Sequence, residues 1–503
     1  MRLLHSLAKT RASFDDPNLV SHAGLVPVMA LAGRAGLGGL VAEHVRPGGE
    51  CGVNAQLKVP ALVAGMAAGA DSIDDMDLLR HGAMDALFGG VRAPSTLGSH
   101  LRSYTWGNVS QLEKAGREFL AELARQAPLL PGAETLAFVD IDSMQKRVYG
   151  HQKEGARFGH TKIQGKSLLV RGLNALAAVI STPIAAPVIA ATRLRGGNAA
   201  SARGAASLAA QAITTARDCG CTGTIIVRMD SAFCNAAVTG AVRGQGAYFS
   251  VTTPVNSSIR AAIAAIGEES WTPIRYPHAV WDDQLDCWIS DAEVAETEYT
   301  AFASKKGQAV TARLIVRRVR DQNKKAAAGQ GELFPAWRYH AVFTDSPFEL
   351  VQAEGQHRDH AIVEQVFADV TSGPLAHMPS VIFSPTILRS SDLWFCVVDS
   401  VVHGASGGSP GGRAGSFRFP FPGRVVAGER IAAARCSPSA RSSASRSWRF
   451  SDSRRRMREV AASSRRSSEA GVARCRSGTG GDAGACCCRA RSRSTCSRRS
   501  SWA

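Results

Sequence analysis

Leu136 to Ser143 reads LAFVDIDS, an apolar run that ends in two carboxylates, Asp140 and Asp142. Side chains alternate along a strand, so both acids fall on one face, at the end of what reads as a buried central strand. Two acids in such a place need a cation or a proton. A second apolar run, Thr224 to Asp230 (TIIVRMD), also ends in a carboxylate, and the helix-like run HRDHAIVEQVFADV carries Glu364. Carboxylates brought together from separate elements are how proteins hold hard divalent cations. The pattern predicts a metal-dependent phosphoryl-transfer site, with magnesium as the ion and manganese as its alternative.

Outward from that strand the texture is mixed α/β. LAFVDID is followed by a polar stretch rich in Gly and basic residues, MQKRVYGHQKEGARFGHTKIQGK, and then by apolar runs at Leu168 to Val170 and Val188 to Leu194. Next comes RLRGGNAASARGA, a glycine-rich loop, and a helix expected to be capped near Ser201 and stopped at Gly220. TIIVRMD then supplies another buried strand, and AYFSVTTPV extends the sheet. Three strands, a helix and a strand are the opening order of a ribonuclease-H-like mixed sheet flanked by helices. Asp230 and Glu364 stand 134 positions apart, more than one crossover needs. The excess, at about residues 255–345, reads as a β-rich insertion holding Trp271, Trp281, Trp288 and Trp337. Those rings either stack on a displaced base or, the preferred reading, fill the insertion's own core.

Residues 1–131 read as a helical DNA-binding region. The run DSIDDMDLLRHGAMDALFG followed by RAPSTLGSHLRSY suits a helix-turn-helix, whose second helix would offer Ser95, Thr96, Ser99, His100 and Arg102 to DNA. An ordinary helical hairpin is the commoner source of such a pattern. Residues 132–379 are expected to form the catalytic core, and 380–503 a low-complexity, disordered tail.

Charge supports that division. The 503 residues carry a formal +17, yet residues 404–503 alone hold 21 Arg, no Lys and 5 acids, which leaves the rest of the chain at +1. The basic pI is therefore weak evidence about the folded part. Arg without Lys, 21 Ser, and the triplet Cys486-Cys487-Cys488 suggest two origins for the tail. One is a disordered Arg/Ser segment able to bind nucleic acid. The other, preferred here, is translation of GC-rich DNA in a shifted frame. The six cysteines before the tail show no paired-loop spacing, so a disulfide framework is not expected. The N-terminus lacks a targeting pattern, and the uncharged run Gly172 to Thr192 holds Pro183 and Pro187 and fits two buried strands better than a membrane helix. A cytoplasmic, nucleoid-associated protein without a membrane partner is the expectation.

VDIDS, the RLRGGNAASARGA loop, VRMDSAF and HRDHAIVEQVFADV followed by GPLAHMPS resemble insertion-sequence transposases of the DDE class, the group with a β-rich insertion before the final acid. The resemblance covers roughly residues 10–380. It implies an enzyme that binds transposon ends as double-stranded DNA, cuts them and joins them to target DNA, as a homodimer and with two divalent metals. In that pattern the first Asp precedes Ser or Thr, which implies Asp142 as first acid, Asp140 as its alternative, and Asp230 and Glu364 as the second and third. The family's last motif runs Tyr, two residues, Arg, three residues, Glu, six residues, Lys; here those positions hold His357, His360, Glu364 and Thr371. Protonated histidines could still donate to a phosphate, whereas Thr371 brings no charge. Arg193, Arg195 and Asn198, beside the glycine-rich loop, are candidate phosphate contacts. Two alternatives stand beside this reading: an inactive remnant that only binds nucleic acid, and a hydrolytic nuclease of the same fold.

Overall fold

The computed structural model describes residues 18–149, 153–163, 166–304, 306–320 and 337–372, which belong to one compact unit. The expectations for the tail lie outside the described residues. Strands begin with β1 (Leu136–Arg147), β2 (Arg157–Ile163), β3 (Lys166–Thr182), β4 (Ala185–Gly196), β5 (Thr224–Met229) and β6 (Tyr248–Thr253). Then come β7 (Thr272–Pro273), β8 (Val280–Asp282), β9 (Cys287–Ile289), β10 (Ala292–Ala301), β11 (Val310–Arg320) and β12 (Trp337–Thr344). Among the described residues, ten of these share one sheet in the order β2-β3-β1-β5-β6-β12-β11-β10-β7, with β4 also on β3, while β8 and β9 form a separate hairpin.

β1 is central because its sequence allows burial on both faces. Ala137, Val139 and Ile141 are fully buried on one side, in the main core with Leu208, Ala212 and Phe119, and Leu136 and Phe138 pack on the other with Ile226 and Phe348. Full burial of a Val or Ile side chain contributes about 1.5–3 kcal/mol. β1 runs antiparallel to β3 and parallel to β5, and β5 parallel to β6, which is the ribonuclease-H-like arrangement. The uncharged run Gly172 to Thr192 forms most of β3 and the start of β4.

Two features differ from the sequence reading. The polar stretch after Ser143 is largely strand: β1 continues to Arg147, and β2 pairs with the start of β3. Its Gly and charged residues hid an exposed ribbon that needs no apolar face. The insertion, secondly, packs a cluster of its own, Ile259, Ile263, Leu314 and Val316 with Trp271 against them as expected, yet its strands are not a separate sheet. β12 pairs antiparallel with β6, Ala341 opposite Thr253, so β10 to β12 widen the central sheet.

Helices cover the sheet and fill residues 25–126. The longest, Trp106–Gln126, starts where the Thr105 backbone N–H donates to Asn108 Oδ1 at 2.9 Å, and Asn108 Nδ2 donates to the Arg46 carbonyl. Val109, Leu112, Phe119, Leu120 and Leu123 recur at helical spacing and are buried. Ahead of it, the run expected as the first half of a helix-turn-helix is broken into a 3-10 turn, Asp74–Leu79, and one helical turn, Met84–Leu87. Among the described residues no single helix is long and apolar enough to cross a membrane; Leu25–Arg34 and Leu37–His44 reach that length only as a pair bent by 51°.

Candidate active site

Register brings the first two acids together. β5 is last paired with β1 at Met229 opposite Ile141, so the next residue on each strand is Asp230 and Asp142. Neighbouring strands lie about 4.8 Å apart, so Asp230, just past the end of β5, stands beside Asp142, which is still within β1 and paired with Ala177 of β3. Asp230 then caps the turn Ser231–Phe233, its Oδ1 accepting from the Ala232 N–H at 2.9 Å, which fixes the carboxylate at the strand's end. Asp142 Oδ1 accepts from the Ser143 N–H at 2.6 Å. Glu364 arrives from the helix Ile362–Ser372, whose Val363, Val366 and Val370 are buried in the main core and so turn Glu364 outward. All three acids line one cleft of about 860 Å³.

The cleft is electrostatically unusual for something that would meet DNA. Among the described residues, no Lys or Arg lines it. Its donors are neutral, from Gln145, Asn174, Asn198 and Ser201, and Phe158, Leu169 and Phe367 supply apolar surface. Burial, helped by the nearby Asp230 and Glu364 carboxylates and opposed by the Ser143 N–H and His360, pushes Asp142 up to about 6. Among the described residues no three His, Cys, Asp or Glu groups are gathered closely enough to share one ion. The donor set nevertheless suits a hard cation: three carboxylates, no sulfur, and mutual repulsion that a cation would relieve.

Asp140 lies on the same face as Asp142, as alternation requires, but inside the protein. It is 0% exposed and bidentate with Arg228, Oδ1 to Nε at 2.7 Å and Oδ2 to Nη2 at 2.6 Å, and it meets His360 Nδ1 at 2.8 Å. Arg228 stacks on Phe138, 4.0 Å from the ring centre, and donates to the Gln356 carbonyl. Asp140 is thus engaged inside the protein and does not line the cleft, and through Arg228 it ties the central strands to the helix Leu350–Arg358. Arg228 escaped the sequence reading. Its signal was a lone Arg inside the apolar run TIIVRMD, where only a buried counterion makes a charge tolerable.

Other candidates are placed differently from expectation. His357 is buried, its ring between the Ser250 and Thr252 hydroxyls at 2.8 and 2.9 Å, and desolvation lowers it to about 3. It is neutral and out of reach of a phosphate, a correction to the DNA-contact reading. His360, by contrast, stands beside the acids. Arg193 and Arg195 do not line the cleft. Arg193 binds the Gly204 carbonyl, Ser207 and Gln211, and Arg195 binds Asn174 and the Ala200, Ser201 and Arg203 carbonyls. They shape the glycine-rich loop, and Asn198, exposed at its tip, lines the cleft. The helix that follows is capped at Gly204, in a left-handed conformation, and not at Ser201. In the helix Pro94–Arg102, Ser95, Thr96 and Arg102 are exposed, but His100 is fully buried against the Cys51 carbonyl and Tyr104.

Residues 4–326 match the family described as transposase DDE domain group 1, a span that includes Asp142 and Asp230. The chain belongs to this family. As a DDE transposase it is an enzyme of the polynucleotidyl transferase and endonuclease class, whose substrate is DNA. Glu364 lies beyond the matched span. Among solved structures, the piggyBac transposase synaptic complex with hairpin DNA aligns with 78% of the transposase and 76% of its own chain, at 10% identity and a TM-score of 0.35. No curated protein matches.

Proposed function

We propose that this transposase uses Asp142, Asp230 and Glu364 to hold two divalent cations, magnesium or manganese, and with them cuts the ends of its element and transfers the strands to target DNA. The observation that carries the reading is the convergence of three acids from β1, the end of β5 and the helix Ile362–Ser372 on one cleft. Asp142, Asp230 and Glu364 would hold the cations, which when bound would supply Lewis-acid stabilisation of the oxygens in a displacement at phosphorus.

The chain's own residues supply position. The Ser143 and Ala232 N–H groups fix the two aspartates. His360, tethered to Asp140, favours the ionised form of Asp142. Asn198 and the neighbouring neutral donors orient phosphate oxygens without the positive charge that would compete for the acids. Away from the cleft, Ser95, Thr96 and Arg102 form a small exposed polar face on which duplex DNA could rest. One site per chain and two ends per element favour a homodimer on DNA, in the cytoplasm with the nucleoid.

Asp142→Asn or Glu364→Gln should abolish magnesium-dependent strand cleavage in a gel assay while leaving DNA retention unchanged. Cleavage at the wild-type rate by either variant would overturn the proposal. Loss of all DNA retention on deleting residues 404–503, in a chain that never cuts, would favour the non-enzymatic alternative.

A further inference from the structure

The wall of the cleft built by β2 and β3 carries a surface that the acids do not explain. β2 and the first half of β3 form a ribbon in which Phe158 lies opposite Arg171, and His160 opposite Leu169. Two residues apart on one strand and opposite on the next, Phe158, His160 and Leu169 share one face of that ribbon. All three line the cleft, and Phe158 and Leu169 are 60% and 57% exposed.

The other side of the ribbon is pinned. Gly159 packs so closely on the loop after β4 that a Cβ there would collide with the Gly197 carbonyl oxygen. A Cβ at Gly159, Gly172 or Gly197 would also stand 3.0, 2.9 or 2.8 Å from Gln145 Nε2, so one amide plugs the meeting point of three glycines. The exposed aromatic face is therefore held at a fixed distance from β1, the strand that carries Asp142.

We propose that Phe158, flanked by His160 and Leu169, is the platform on which the nucleobase next to the scissile phosphate stacks. The inference rests on reading this cleft as the strand-cutting site. A phosphodiester reaching the three acids brings its neighbouring bases along the same cleft. Ring stacking grips a strand without sequence readout, and here it would act beside the neutral donors of the lining and Arg171, the residue opposite Phe158 on the ribbon. Phe158 is here a positioning residue.

The test uses the full chain, calcium in place of magnesium, and a forked DNA duplex carrying 2-aminopurine as its first unpaired base. Wild-type protein should quench the fluorophore, Phe158→Ala should leave it bright, and Phe158→Tyr should restore the quench. In competition, wild-type protein should prefer the fork with a base over the same fork with an abasic residue by roughly 5- to 150-fold, the range of base-stacking losses on alanine substitution. Phe158→Ala should show no preference. Equal quenching by wild type and Phe158→Ala, or an unchanged preference, would overturn the inference. Because the readout needs no cutting, a chain that stacks the base but never cleaves DNA would overturn only the proposed function.

Discussion

Two aspartates two residues apart on one strand should respond to the same substitution with opposite signs. Asp142 is raised from 3.8 to about 6, chiefly by burial. Roughly two pKa steps, at 1.36 kcal/mol each, correspond to about 3 kcal/mol by which the ionised carboxylate weakens the fold. The folded chain binds that proton more tightly than the unfolded one. Stability from this group is therefore greatest below pH 3.8, falls as pH rises towards 6, and is fully lost above that. Asp142→Asn should accordingly raise stability at pH 7 by up to about 3 kcal/mol, with the gain fading by pH 4. Asp140→Asn does the reverse. It leaves the Arg228 guanidinium, 2% exposed, without its counterion, and breaking a buried pair from one side costs about 3–5 kcal/mol. Urea midpoints of the two variants at pH 7 and pH 4, in chelator so that no cation offsets the repulsion, measure both effects. If Asp142→Asn were destabilising at pH 7, or its gain were independent of pH, the account of Asp142 as a carboxylate desolvated in the cleft would be refuted.

Replacing His357 by Phe strands the Ser250 and Thr252 hydroxyls and should cost about 1–3 kcal/mol in thermal unfolding with no change in the salt dependence of DNA binding. Because burial lowers the His357 pKa to about 3, the folded state refuses a proton that the unfolded chain accepts. Its contribution is intact above the ordinary histidine value and is lost as pH falls towards 3, and the Phe variant should lack that acid sensitivity. Arg195→Ala removes the donors that hold the glycine-rich loop; amide exchange at residues 196–203 should rise, with strand cleavage falling through the loop and not through the acids. Gly159→Ala should destabilise the β2 ribbon, read as faster limited proteolysis beside residues 157–163, because its Cβ has no room.

The central strand, Asp230 at the end of β5 and the helix with Glu364 were legible from local patterns, an apolar run stopped by a charge in the strands and apolar residues at helical spacing around Glu364; that β1 runs on past Asp142 to Arg147 was not. The choice between Asp140 and Asp142 was not legible from spacing, since both share a face; burial under the helix Leu350–Arg358 and the pairing with Arg228 decide it, and these are long-range facts. The same holds for the histidines. His357 and His360 look alike in sequence, three residues apart, yet one fills a dry slot against β6 and the other borders the acids. β2 was missed because an exposed ribbon shows no apolar alternation, and its glycines report close backbone packing instead of a turn.

The added strands join the sheet where β12 pairs with β6, which in turn pairs with β5, the strand that delivers Asp230; the chain then passes from β12 through the helix Leu350–Arg358 to the helix bearing Glu364. Such a slab has no joint along which its outer edge can swing free. A ligand gripping the far strands would be felt at the acids as tilt or shear of one continuous plate, and grafting those strands elsewhere would also remove the route by which the third acid comes home.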